Sequence, residues 1–279
     1  VETTSIVSEP ISSNEPRDSE FLYTLERGLS VLRAFDQDHP AMTLSEVAEK
    51  TNLSAAVARR CLNTLVKLGY VAHHDRRFLL KPKVIEFGSA FSDSMNFEEA
   101  VSPFLQRLRD ETGDSASLVV LSGSDILYLV HVSTNRRIRI GANVGTRFPA
   151  YATSLGRAIL AFKSDRVIHN YFATTELKKL TEHTMTASKE VVSRLETIRR
   201  LGYDTAQDEL DYGIISIAVP IFDSERRVIA AINCSTTTSR TSRDEMIANR
   251  LDLLRETARD VEMALKRWPY LIHALDDAL

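Results

Sequence analysis

Cysteine is scarce: Cys61 and Cys234 are the two in 279 residues, far apart and each inside an apolar segment. That excludes a disulfide framework and a cysteine-built metal site. Both read as buried free thiols, in keeping with a reducing cytoplasm. Tryptophan occurs once, proline eight times and glycine ten times, too little Pro and Gly for a collagen-like or low-complexity chain. No apolar run approaches the roughly 20 residues of a membrane-spanning helix, so no membrane partner is expected. The opening stretch VETTSIVSEPISSNEPRDSE lacks the basic start and apolar centre of a secretory leader, and none is expected. Positive charge is not in excess either. The net charge of −3 rules out a uniformly basic coat, though not a local basic patch. The HExxH, CxxC, P-loop and GxSxG patterns are all missing, so the expectation is no enzyme, no catalytic residue, no metal and no cofactor. His131, on a strand rich in Val and Leu, reads as a core histidine. His73–Asp75 reads as a hairpin edge, since three adjacent strand residues cannot converge on one ion.

What is present is globular: 43% hydrophobic and 26% charged residues, enough for two domains of ordinary size. Residues 1–20 read as a disordered acidic tail. A first domain spans 21–81. Leu25, Leu29, Leu32 and Phe35 form one helical stripe, with Thr24 as its N-cap. Thr43 and Glu46 make a capping box that opens a second helix. Ser54 caps a third, with Ala58, Cys61, Leu62, Leu65 and Leu68 at helical spacing and Gly69 as terminator. YVAH and RFLL, joined by HDR, read as a hairpin. A linker helix is placed at 82–96. A second domain covers 97–267, and 268–279 form a C-terminal tail. In the second domain a helix to about 112 precedes strands ASLVVLSG, DILYLVHV and RRIRIGAN. Three helices follow: SLGRAILAF, capped by Thr153 or Ser154, one after Asp165, and one ending at Gly202. Strands IISIAVPIF and RVIAAINCS and a helix over about 242–267 close the pattern. Short hairpin links make the sheet antiparallel and the domain α+β.

The third helix of the first domain carries the chemistry. With Ala58, Leu62 and Leu65 inward, Ala55, Ala56, Arg59, Arg60 and Asn63 face outward or sit at the edge. Helix-turn-helix readers place the start of the second helix of the motif in the major groove. Small residues there permit close approach, and arginines one turn on can fork onto guanine or phosphate. Arg76 and Arg77 of the hairpin, with Lys67, Lys81 and Lys83, extend a local cationic face opposed by Asp75 alone, as phosphate binding requires. The candidate DNA-binding residues are Thr43, Ser54, Ala55, Ala56, Arg59, Arg60, Asn63, Arg76 and Arg77.

A candidate small-molecule site lies around RFPAYATSLGRAIL. Pro149 and Gly156 shape a loop running into a helix whose first amides, at Ser154–Gly156, suit a carboxylate. Ser216 and Ala218 on one late strand, and Asn233 and Ser235 on the next, offer small polar or permissive walls with period 2. Capping by Thr153 or Ser154 is compatible with that role. Glu209, Asp211 and Tyr212, before Gly213, read either as a lid or as a solvated acidic loop.

Together, TLSEVAEKTNLSAAVARRCLNTLVKLGYV, LKPKVIEFG, FPAYATSLGRAILA and GYDTAQDELDYGIISIAVPIFD resemble the IclR family of bacterial transcription regulators over about residues 21–267. The branch most similar controls protocatechuate, p-hydroxybenzoate and β-ketoadipate breakdown. The resemblance implies a two-domain fold: an N-terminal, mainly α, winged helix-turn-helix and a C-terminal α+β, GAF/PAS-like effector-binding domain with an antiparallel sheet. It implies double-stranded operator DNA and a small organic acid (aromatic acid or dicarboxylate) as partners, and a homodimer or dimer of dimers in the cytoplasm. It further implies that effectors meet Ser154, Leu155, Ser216, Asn233 and Ser235, with Arg137, Ile140 and Phe148 as a further wall; Thr153, Gly156, Gly213 and Ala218 complete the candidate effector-binding residues. Either Arg137 or Arg139 would pair with a carboxylate. The alternative function is a sensor or scaffold of this fold that binds no specific operator. One position departs from the branch: Ala55 stands where relatives often carry Arg.

Overall fold

The computed structural model describes residues 20–36, 38–95, 97–136 and 141–267. Both expected tails, apart from Glu20, lie outside the described residues, as do Arg137, Arg139, Ile140 and so half of the expected strand RRIRIGAN, whose described ends, Arg136 and residues 141–143, are not strand. The chain divides into two compact units, 1–91 and 92–279. No helix among the described residues is long and apolar enough to cross a membrane.

In the first unit, α1 (Tyr23–Arg33) begins after Leu22, not at Thr24. The Leu22 carbonyl accepts from the amides of Leu25 and Glu26, so the backbone closes the first turn and no hydroxyl cap is used. α2 (Leu44–Lys50) starts on the expected capping box: Thr43 Oγ1 accepts from the Glu46 amide at 3.3 Å, and the Thr43 amide donates to Glu46 Oε2 at 2.6 Å. That backbone hydrogen bond from Thr43 is the first reason the Glu46 carboxyl lies below its ordinary pKa. α3 (Ala55–Leu68) is capped by Ser54 and ends at Gly69, whose φ of 82° is the left-handed conformation a helix terminator needs. Val31, Met42, Val47, Ala58, Leu62, Val71 and Phe78 form its core. Met42 arrives on β1 (Ala41–Thr43), a strand that the residue pattern does not signal, which pairs with β3 (Arg77–Leu80); β3 in turn pairs with β2 (Val71–His74). At the β2–β3 turn Asp75 and Arg76 both take positive φ, 43° and 70°, the primed turn that suits a two-residue hairpin. Cys61 is only partly buried, in contrast to the sequence expectation.

The expected linker is a 3-10 turn, Pro82–Val84, followed by α4 (Ile85–Met95), and α5 (Phe97–Thr112) comes next. The sheet of the second unit is wholly antiparallel, in the order β6 (Arg147–Pro149), β5 (Asp125–Val132), β4 (Ser115–Ser122), β9 (Val228–Thr237), β8 (Ile214–Phe222), β7 (Asp204–Gln207). On one face, α5 and α9 (Arg243–Leu265) bury Leu105, Leu108, Leu254 and Val261 against Leu118, Ile217 and Ile232. Against the other face lie α6 (Ser154–Leu160), α7 (Asp165–Thr174) and α8 (Ser188–Leu201), through Leu155, Ile159, Ile168, Leu195 and Ile198. Cys234 is fully buried, which pushes its thiol up to about 12.

α6 is buried at every residue, Arg157 included. Gly156 permits this, because a Cβ there would stand 2.2 Å from the Ala150 carbonyl oxygen. The five N–H groups of Arg157 all find acceptors. Nε donates to Asp204 at 2.6 Å, while the terminal nitrogens donate to both Glu209 oxygens and to the carbonyls of Tyr151 and Thr205. Arg194 meets the second oxygen of Asp204. Arg157→Met strands the Glu209 carboxylate, and losing one partner of a buried ion pair costs about 3–5 kcal/mol. Urea denaturation should show a midpoint lowered accordingly, and an unchanged midpoint would show that the network is dispensable.

Candidate functional site

Residues 55, 56, 59, 60 and 63 share one side of α3, because helical neighbours recur three and four apart. Ser54, Ala55, Ala56, Arg59, Arg60 and Asn63 are all exposed, while Ala58, Leu62 and Leu65 hold the opposite side in the core. Neither Arg59 nor Arg60 has a side-chain partner among the described residues, so two guanidinium groups stand unneutralised one turn behind a tip of small residues. Arg76 projects from the hairpin turn, also exposed. Arg77 is differently employed: it donates to the Ala41 carbonyl at 2.9 Å and lies 3.7 Å from Glu46, tying β3 to β1 and α2. The hydroxyls of Thr43 and Ser54 are taken by their caps. Lys83 donates to the Leu68 carbonyl and lies over the Tyr70 ring. His73 stacks on Phe78 at 4.3 Å and His74 pairs with Asp75 at 3.0 Å, so HHD is a hairpin edge.

In the second unit, the start of α6 lies against the sheet over a cavity of about 30 Å³. Its lining is Tyr128, Ala152, Thr153, Ser154, Leu155, Ala206, Glu209, Leu210, Ile214, Ser216, Asn233 and Ser235. The register explains why polar groups converge there. Directly paired residues of antiparallel strands share a face, which gives one row Ser216–Ser235–Ser115 and a second row Ala218–Asn233–Ser117–His131. Ser154 and Ser216 join their hydroxyls at 2.8 Å. Thr153, not Ser154, is the cap, and its hydroxyl takes the Gly156 amide. The Gly156 amide is thus already committed, and that residue's place is against the Ala150 backbone.

The structure therefore brings together Thr153, Ser154, Leu155, Ser216, Asn233 and Ser235 of the residues expected from the sequence. Gly156, Ala218 and Gly213 lie off the lining, and Phe148 stands behind Tyr128, edge to face at 5.7 Å. Arg137 and Ile140 lie outside the described residues. Tyr128, Ala152, Ala206, Leu210 and Ile214 were not anticipated. Tyr128 had a readable signal, because it sits in phase with the inward Ile126, which belongs to the same cluster. Burial pushes its phenol up from the ordinary value, so at neutral pH it remains a protonated hydroxyl. Glu209 is neither solvated nor free: it is buried and held by Arg157, whereas Asp211 and Tyr212 are exposed. His131 Nδ1 lies 2.9 Å from the Ser117 hydroxyl.

Residues 24–75 match the family described as the IclR helix-turn-helix domain, and residues 89–263 match the bacterial transcriptional regulator IclR C-terminal domain. The chain belongs to the IclR family. Among its relatives, the Pca regulon regulatory protein of Pseudomonas putida is 36% identical over 245 residues, 88% of this chain and 84% of that protein. The p-hydroxybenzoate hydroxylase transcriptional activator of Acinetobacter baylyi is 32% identical, over 91% of this chain and 96% of its own. The crystal structure of an IclR homologue from Microbacterium hydrocarbonoxydans, complexed with 4-hydroxybenzoate, is 25% identical with a TM-score of 0.71. It covers 88% of this chain and 99% of its own. As an IclR-family protein, the chain carries the expected two-domain architecture of an N-terminal helix-turn-helix and a C-terminal domain with an antiparallel sheet.

The free arginines of α3 set a measurable expectation. With a labelled mixed-sequence duplex, Arg59→Ala and Arg60→Ala should each weaken binding and reduce the slope of log K against log salt by about 1 for every phosphate no longer neutralised. Arg77→Ala should instead lower the melting temperature and leave that slope unchanged. Unchanged slopes in both α3 variants would remove this helix from the interface.

Proposed function

We propose that this IclR-family chain is a cytoplasmic, effector-responsive regulator of aromatic-acid catabolism genes. In this reading α3 enters the major groove of operator DNA, and a small organic acid binds over the β8–β9 face of the second unit. The observation that carries it is the cavity beneath α6, where hydroxyl and amide side chains from β8, β9 and the α6 start converge beside the Tyr128 ring. An apolar ring wall with a few convergent polar groups is the usual make-up of a small-molecule site. The relatives named above, one of them seen with 4-hydroxybenzoate, support an aromatic acid as the ligand class. Ser54–Asn63 and Arg76 would form the DNA face, with the capped start of α2 beside it. The relatives named above are a regulatory protein and a transcriptional activator, which supports a sensor rather than an enzyme.

Small-molecule sites usually enclose about 300–1,000 Å³. The cavity's volume of about 30 Å³ holds a water or two, so an aromatic ring enters only if a wall gives way. Binding is thus coupled to displacement of protein, and an effector shifts the protein only by its differential affinity for the two arrangements.

Assembly as a homodimer has support in the first unit alone. Leu22, Leu25 and Leu29 are 70%, 59% and 42% exposed along α1. With Leu68, Tyr70 and Phe87 they border an apolar groove of about 550 Å³. A second copy is the occupant that fits a regulator of two-fold operators, whose half-sites mirror protein symmetry.

Two measurements check these statements. A thermal-shift panel of hydroxybenzoates, protocatechuate and β-ketoadipate should raise the melting temperature by about 5 °C for at least one compound at saturating concentration. Silence across the panel would reject the ligand class. Leu25→Asp combined with Leu29→Asp should convert the dimer to monomer in sedimentation velocity, and an unchanged sedimentation coefficient would reject this face as the interface.

A further inference from the structure

Arg157 has an acceptor for each of its donors; the arginines around the start of β4 do not. Asp114, the residue before β4, is fully buried. Its two oxygens accept from different arginines, each at 2.9 Å. Oδ1 takes Arg240, from the loop between β9 and α9, and Oδ2 takes Nε of Arg250 on α9. A third arginine, Arg136 in the segment after β5, donates through Nε to the neighbouring Gly113 carbonyl at 3.2 Å. That carbonyl also accepts from the Thr134 hydroxyl, and Arg240 reaches it at 3.5 Å. Gly113 leaves room for this, since a side chain there would meet Arg136 Nη2 at 3.1 Å, closer than ordinary contact. Three guanidinium groups are thus gathered on two consecutive residues.

At this point three positive charges face one negative. Among the described residues no other carboxylate pairs with Arg136, Arg240 or Arg250. Donors are in surplus as well. Each guanidinium carries five N–H groups. The acceptors on hand are the Asp114 carboxylate, the Gly113 carbonyl and the Thr236 hydroxyl, which takes Arg240 at 2.7 Å. Both terminal nitrogens of Arg136 and of Arg250, with Nε and Nη2 of Arg240, have no partner among the described residues. The side chains of Arg240 and Arg250 are 27% and 20% exposed. Their spare donors therefore reach solvent from a partly desolvated place, where charge pairing is stronger than at an open surface.

We propose that Arg136, Arg240 and Arg250 form a binding site for a phosphate group, separate from the cavity beneath α6. None of the three lines that cavity. A phosphate suits the arrangement better than a carboxylate, because three guanidinium groups call for three acceptor oxygens and a carboxylate has two. Paired hydrogen bonds from arginine to phosphate are also among the strong ones. The site lies one residue beyond the pair Ser115–Ser235, and Ser235 lines the cavity. A bound phosphate joins the segment after β5, the end of β9 and α9 at a single point.

The test is isothermal titration of the full-length protein, at fixed ionic strength, with inorganic phosphate, glycerol 3-phosphate and acetate. The better of the two phosphates should bind at least about 10-fold more tightly than acetate. Arg136→Gln and Arg250→Gln should each weaken it by about 10- to 100-fold, the range for losing a hydrogen bond to a charged group. Arg200→Gln, at an exposed position of α8, should leave it unchanged. Should Arg250→Gln fail to fold, Arg136→Gln decides the matter, since the partner it loses is a backbone carbonyl and not the buried carboxylate. Tighter binding of the ester than of inorganic phosphate identifies a phosphorylated metabolite as the ligand, and the reverse order identifies free phosphate; either supports the site. Acetate bound as tightly as both phosphates would overturn the proposal. So would an equal loss in Arg200→Gln, the mark of an adventitious ion only. Absence of phosphate binding to the wild-type protein overturns it outright.

Discussion

A guanidinium group with no water within reach must be met on every side by acceptors, and Arg157 shows how much of a fold that requirement can dictate. Its partners come from the 3-10 turn before α6, from β7 and from the loop after β7. Bringing them to one point fixes α6 against the sheet, sets β7 at its edge and holds Glu209 in the wall of the cavity. Burial of ions is a poor source of net stability, because desolvation offsets most of the attraction. What the network supplies is geometry: few arrangements of these three segments satisfy five donors and both carboxylates. Gly156 acts in the same place by a different means, since its missing side chain lets α6 approach the Ala150 backbone.

The exposed side of α3, the proposed DNA face, follows an opposite logic. There the arginines have been kept away from partners, on a chain whose overall charge is negative. Arg77 marks the boundary between the two uses, since it lies beside Arg76 in sequence yet faces Ala41 and Glu46. One residue of the pair supports the hairpin and the other is left to the solvent.

Much of the architecture was legible in the sequence because local chemistry and burial agreed. The capping box of Thr43 and Glu46, Gly69 and Gly202 as terminators, and the inward stripe of α3 all followed from residue type and spacing. The three strands that were missed share a cause. β1 and β6 are only three residues long, and β7, Asp-Thr-Ala-Gln, is polar, so no two-residue alternation of apolar groups betrays it. β7 is a strand through its pairing with β8, with its buried Asp204 met by Arg157 and Arg194, and no local pattern contains that information. The site was legible where it followed strand period, at Ser216, Asn233 and Ser235. It was hidden where it depended on partners distant in sequence, as for Glu209, whose arginine lies 52 residues away.

The smallness of the cavity bears on what concentration such a protein would report. A ligand that enters only a minor, opened arrangement binds with an apparent dissociation constant equal to the intrinsic one divided by the open fraction. An opening populated at about 1% would thus raise the apparent constant about 100-fold without altering any group the ligand meets. The close packing under α6 then acts as a threshold. For an effector bound as proposed, it would keep the protein silent to traces of ligand, and any substitution that loosened the wall would lower that threshold while leaving the lining polar groups in place.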